Sequence, residues 1–112
     1  MKLIIAVIKP FKIGEVTDAL NEIGISGITI IEVRGHGRQK GHTEVYRGAE
    51  YRIEYIPKIR LELVVEDADA DRIIDAIVEN ARTGTIGDGK YWVVPIERVG
   101  RIRTGELGSD AL

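Results

Sequence analysis

Hydrophobic positions along the chain follow two different periods. Residues 3–8 (LIIAVI) are an unbroken, β-branched apolar run of strand length, the pattern of a strand buried on both faces or set in the middle of a sheet. Pro10 ends it. From Lys12 the apolar side chains recur at Ile13, Val16, Leu20 and Ile23, three or four apart, and the segment closes at Gly24, which predicts an amphipathic helix. After a GISG turn, residues 28–33 (ITIIEV) predict a second strand that stops at Arg34 and Gly35.

The same order then returns. Residues 59–65 (IRLELVV) alternate as a half-buried strand, and residues 67–71 give an acidic helix start that suits the helix dipole. Ile73, Ile74, Ile77, Val78 and Ala81 supply that helix's apolar face, and residues 90–96 (KYWVVPI) close the series as a strand. Strand, helix, strand, twice over, is the split βαβ plan of a ferredoxin-like α+β domain, with both helices on one face of the sheet. Between the second strand and the third lie residues 34–58, with no core periodicity. A connection that long is usually functional or disordered. Its first part, residues 34–47, sets Arg34, Arg38, Lys40 and Arg47 against Glu44 alone, the composition of a mobile basic arm.

Composition narrows the chemistry. At 112 residues the chain has the size of one domain, and the absence of cysteine excludes disulfide scaffolds, thiolate metal sites and Cys nucleophiles. No apolar run approaches a membrane span and the N-terminus lacks a signal-peptide layout, which predicts a cytoplasmic protein. A net charge of −2 offers no general attraction to nucleic acid, so anion binding has to come from local clusters. Glycine is over-represented, at 13 residues, and concentrated in three stretches.

Three segments hold candidate chemistry. In residues 83–90 (TGTIGDGK) three glycines let successive backbone N–H groups turn inward as an anion nest, with Lys90 at its end. It is not a Walker A loop, since Tyr91 stands where a Ser or Thr would hold magnesium. A glycine-rich tight turn without a ligand accounts for the same residues equally well. The second segment is Arg98 followed by RIR at 101–103. In an extended backbone Arg101 and Arg103 point the same way and fork onto one polyphosphate, whereas solvated surface arginines are the plainer reading. Third, residues 35–51 place Gly35, Gly37 and Gly41 beside Arg38, Gln39 and Lys40, with Tyr46 and Tyr51 either anchoring the arm or displayed for modification. His36 and His42 lack clustered carboxylates, which argues against a metal site.

GRQKGHTEVYRGAEY (residues 37–51), TGTIGDGK (83–90) and RIRTGE (101–106), in that order and preceded by KPFK at 9–12, resemble the PII nitrogen-regulatory signal-transduction proteins over the whole chain. The resemblance implies a homotrimer of ferredoxin-like subunits, each one domain over 1–112, with a T-loop at about 36–55, a B-loop at 82–90 and a C-terminal segment at 97–112. ATP or ADP would lie between subunits. Gly87, Asp88, Gly89 and Lys90 would hold the phosphates from one subunit, with Arg101 and Arg103 reaching in from the next, and Thr29, Gly35, Gly37, Arg38, Gln39, Glu62 and Val64 would line the remainder. Gln39 would complete Mg2+ coordination with ATP and 2-oxoglutarate, which would also meet Lys40, Gly41 and Lys58. Tyr51 matches the tyrosine that is uridylylated or adenylylated, and Arg47 the loop-tip residue that enters an ammonium transporter.

The implied protein is a non-catalytic sensor of nitrogen, carbon and energy. Its partners would be an ammonium transporter at the membrane, where it is reversibly recruited, a nucleotidylyltransferase and a glutamine-synthetase regulatory enzyme, but no nucleic acid. His36 and Tyr91 depart from the family pattern near the expected cleft. Two other classes compete: a ferredoxin-like enzyme using a phosphohistidine at His36 or His42, and an RNA-binding module, for which the strands offer only Tyr91 and Trp92, on opposite faces.

Overall fold

The computed structural model describes residues 1–37, 43–46, 49–52 and 55–112. In chain order the elements are β1 (Lys2–Ile8), α1 (Ile13–Glu22), β2 (Thr29–Gly35), β3 (Thr43–Tyr46), β4 (Ala49–Arg52), β5 (Ile56–Val65), α2 (Ala70–Ala81) and β6 (Lys90–Pro95), with short 3-10 turns ahead of both helices and at the C-terminus. Four strands form one antiparallel sheet in the order β2-β5-β1-β6, and β3 pairs with β4 in a separate two-stranded ribbon. Leaving the ribbon aside, this is the ferredoxin-like βαββαβ arrangement that the two periods predict.

Position in the sheet explains the burial. β1 is bonded on both sides, to β5 and β6, which is why its sequence is apolar at nearly every position. Its pairs Ile4 with Leu63 and Ala6 with Leu61 put these side chains on one face. There they meet Val16 and Leu20 of α1 and Ile73, Ile77 and Ala81 of α2 in a single core. Pro10 sets the 3-10 turn that leads into α1, where its missing N–H is no loss. At the other end Gly24 adopts φ +86° while Ile25 N–H donates to the Leu20 carbonyl and Gly24 N–H to that of Asn21, a Schellman stop.

Among the described residues the opposite face carries no helix. Register places Thr29, Ile31 and Val33 of β2, Arg60, Glu62 and Val64 of β5, Leu3, Ile5 and Val7 of β1, and Lys90, Trp92 and Val94 of β6 on it. Trp92, Val94 and Ile31 are each roughly two-fifths exposed, an apolar patch on an open sheet.

Two expectations change. The long connection is not without secondary structure, because residues 43–46 and 49–52 pair as the ribbon β3–β4, with Thr43 opposite Arg52 and Tyr46 opposite Ala49. The ribbon is a sheet separate from the four-stranded one, and the core periodicity that marks the main strands does not extend to it. β5 also starts three residues before Ile59, since Pro57 and Lys58 interrupt the apolar pattern without interrupting the pairing of Ile56 with Gly35.

Candidate functional site

Three neighbouring strands end together at one edge of the open face. Val7 of β1 lies opposite Lys90 of β6 on one side and Arg60 of β5 on the other, so residues just past Val7 sit between Lys90 and Lys58. Here a cavity of about 360 Å³ is lined by Gly35, Gly37, Lys58, Gly87, Gly89 and Lys90, with His36 and Trp92 among its walls. Six of the sequence-predicted residues thus converge on one space.

The loop from α2 to β6 reaches this cavity in a backbone shape only glycine takes easily. Gly84, Gly87 and Gly89 have φ of +85°, +97° and +95°. At Gly89 a Cβ would stand 1.7 Å from the Val7 carbonyl oxygen, so the loop is pressed directly against the central strand.

Asp88 ties this loop to itself. Its carboxylate accepts from the Thr83 and Gly84 backbone N–H groups, both at 2.8 Å, and from the Thr83 hydroxyl, and it pairs with the Lys9 ammonium at 3.1 Å. The Thr83 hydroxyl bond chiefly, then the backbone N–H bonds and Lys9, hold the carboxyl far below the usual carboxylate range against an opposing burial effect. Lys9 also donates to Thr83 Oγ1 at 3.0 Å and to Thr85 Oγ1 at 2.6 Å.

Lys58 is buried, 8% exposed, and donates to the Gly87 carbonyl at 2.5 Å. Burial pushes its pKa down, the like charge of Lys9 acts the same way, and Asp88 opposes both. Lys58 and Lys90 bring two ammonium-bearing side chains to the cavity wall, a composition suited to an anion.

A second cavity, about 630 Å³, gathers Thr29, Glu62 and Val64 with Val99 and Leu112 of the C-terminal segment. Glu62 is paired there with Arg60 at 2.9 Å. Nine of the predicted site residues are therefore divided between these two cavities, six in the first and three in the second. Arg101 and Arg103 line neither. Nor is their segment extended: Gly100 bridges to Leu107, Gly105 takes φ +73° and its N–H donates to the Arg101 carbonyl, so residues 102–104 form a turn. Arg101 meets the Leu112 carbonyl at 3.0 Å and Glu106 at 3.5 Å, which replaces the forked pair expected from an extended strand.

The family model for "Nitrogen regulatory protein P-II" matches residues 1–106. The chain belongs to that family. Curated P-II proteins align over the full length of both chains: one from Azospirillum brasilense at 59% identity, one from Rhodospirillum rubrum at 60%, and "Nitrogen regulatory protein P-II 1" of Escherichia coli at 57%.

Several residues that the P-II resemblance singles out lie outside the described residues: Arg38, Gln39, Lys40, Gly41, His42 and Arg47. Tyr51 falls in β4 opposite Glu44, and its side chain is outside them as well. Sequence reading passed over Lys9, Thr83 and Thr85, the side chains that shape the glycine loop. Of the two departures from the P-II pattern, His36 is a wall of the first cavity with its ring 5.9 Å from that of Tyr55. Tyr91 points to the helix side, where it lines another cavity with Ile77 and Ala81 that also reaches Asp88, Gly89 and Lys90 of the glycine loop.

Proposed function

We propose that this P-II protein is a regulatory trimer that reads ATP, ADP and 2-oxoglutarate and passes the result to its targets through the segment 36–55. Membership of the family makes it a nitrogen-regulatory protein and not an enzyme. What carries the ligand reading is the convergence of the positive-φ glycines 87 and 89 with Lys58 and Lys90 on one cavity. Backbone N–H groups of Gly87, Asp88 and Gly89, with Lys90, would take the phosphates, and these residue types fit such a ligand.

The division of the remaining residues between two cavities supports a site completed by a second copy. In that assembly Thr29, Glu62 and Val64, with Arg101 and Arg103, meet the nucleotide held by a neighbour's glycine loop. The helix-free sheet face with Trp92, Val94 and Ile31 supports the same assembly, because an apolar patch of that kind favours burial against another chain.

Lys58 would bind the distal carboxylate of 2-oxoglutarate, with Lys40 and Gly41 beside it. Gln39 would complete Mg2+ together with ATP and the effector; magnesium supplies charge compensation between them. An effector that requires the loop folded over ATP and Mg2+ shifts the loop only by its differential affinity for that state. Nucleotidylylation of Tyr51, docking of Arg47 on an ammonium transporter, control of a glutamine-synthetase regulatory enzyme and a cytoplasmic location with recruitment to the membrane complete the reading. Among the described residues no helix is long and apolar enough to cross a membrane, which is compatible with that recruitment through a partner.

The test is calorimetric titration of 2-oxoglutarate with Mg2+ and ATP, then with ADP, then without nucleotide. Binding in the first case alone is expected. Equal heats in all three would refute the linked sensor.

A further inference from the structure

Lys9 is buried, it does not line the 360 Å³ cavity, and yet three of its contacts are with the glycine loop. It grips Thr83 and Thr85 at the loop's start and Asp88 near its end. Asp88 in turn draws in the Thr83 and Gly84 N–H groups, so the loop from Thr83 to Asp88 is closed into one ring by a single cation and a single carboxylate. Two residues before Lys9, the Val7 carbonyl is the surface against which Gly89 is pressed. The end of β1 thus provides both the floor of the loop and its clasp.

We propose that Lys9, acting through Asp88, is the positioning residue that pre-forms the glycine nest for the nucleotide's phosphates, and so sets how tightly a diphosphate is held without touching it. The physical basis is pre-organisation. A nest that is already shaped before the ligand arrives spends no binding energy on ordering its backbone, and its N–H groups are held facing the anion. Thr83 fits the same scheme, because its hydroxyl accepts from Lys9 while donating to Asp88. The proposal rests on the nucleotide reading above and adds a pair of residues to it.

Binding of ADP by the trimer as it assembles is measured by calorimetry for the unmodified protein, Lys9→Met, Lys9→Arg, Asp88→Asn and the Lys9→Met/Asp88→Asn double variant. Amide hydrogen exchange at residues 84–89 and the melting temperature are recorded alongside. Each of Lys9→Met and Asp88→Asn is expected to weaken ADP about tenfold and to speed exchange in the loop, since a charge-assisted contact is lost in each. The double variant should be no weaker than the worse single one, and Lys9→Arg should recover part of the loss.

ADP affinity within about twofold of the unmodified protein in Lys9→Met would overturn the proposal, and so would losses that add in the double variant. Weakened binding with unchanged exchange at 84–89 would also overturn it, because Lys9 would then act as a distant charge and not as a clasp. Should Lys9→Met fail to fold, Asp88→Asn and Lys9→Arg decide by the same criteria. If the unmodified protein binds no ADP, the nucleotide reading itself fails and this inference falls with it.

Discussion

The ammonium of Lys58 and the carbonyl of Gly87, 29 residues apart in sequence, are joined by a 2.5 Å hydrogen bond that fastens the first residues of β5 to the glycine loop. The group assigned to an effector carboxylate and the loop assigned to phosphates are therefore one connected unit. A dicarboxylate that reaches Lys58 would meet an ammonium that already gives one of its three N–H groups to the Gly87 carbonyl.

Replacing this cation separates the two ligands. Lys58→Met is expected to weaken 2-oxoglutarate by at least about tenfold in the presence of Mg2+ and ATP, the size of a lost charge-assisted contact, while ADP changes by much less. Calorimetry with each ligand checks it. Equal loss of both would show that Lys58 serves the loop alone.

Gly89 and Gly84 differ in kind despite similar dihedral angles. At Gly84 an added methyl meets nothing within 4 Å, so Gly84→Ala pays for its φ only, about 1–2 kcal/mol. At Gly89 the methyl would also collide with the Val7 backbone, which cannot yield without disturbing the central strand. Gly89→Ala is expected to cost clearly more than Gly84→Ala in urea unfolding and to lose ADP binding. Similar costs for the two would mean that the loop lifts freely off β1.

Acid should act first through Asp88. Its folded-state pKa is depressed, so its contribution is fully present above the ordinary carboxylate value near 3.8 and is lost as pH falls toward the lower folded value. Asp67, paired with the N-terminal amine at 3.1 Å, is shifted the same way. Asp88→Asn should flatten the fall in stability below about pH 4 without changing its shape between pH 6 and 8. Melting temperatures across that range test this, and an unchanged acid limb would count against the Asp88 network.

The open sheet face gives a fourth expectation. Val94, opposite Leu3 and two-fifths exposed in the single chain, would be buried if copies meet there. Val94→Glu should yield a monomer in sedimentation at micromolar concentration. On an exposed site the same change would shift stability by no more than about 0.5 kcal/mol and leave the mass unaltered.

Most of the fold was legible because its elements bury a face. The 3.6-residue spacing at Val16 and Leu20 and the alternation at Leu61, Leu63 and Val65 are direct records of the core. β3–β4 left no such record in the hydrophobic pattern, and Pro57 and Lys58 masked the start of β5. At the site, the TGTIGDGK segment announced itself by its glycines. Lys9 did not, because a lysine before a proline reads as a solvated strand end until the fold brings residue 83 beside it. Asp88 was visible as part of the motif, but its role as an inward tie depends on contacts that no spacing encodes. For Arg101 and Arg103, same-side placement assumed extended backbone, whereas Gly105 and the Gly100–Leu107 bridge make a turn.

The press of Gly89 against Val7 has a consequence for how the molecule comes apart. Val7 belongs to the strand held by ladders on both sides, so its backbone is freed only when the sheet itself opens. A loop seated on that strand loses its floor whenever the sheet opens, and short of that it is held by its own contacts with Lys9 and Asp88. The cavity therefore cannot outlast the strands: whatever opens the sheet removes the pocket's glycine wall as well.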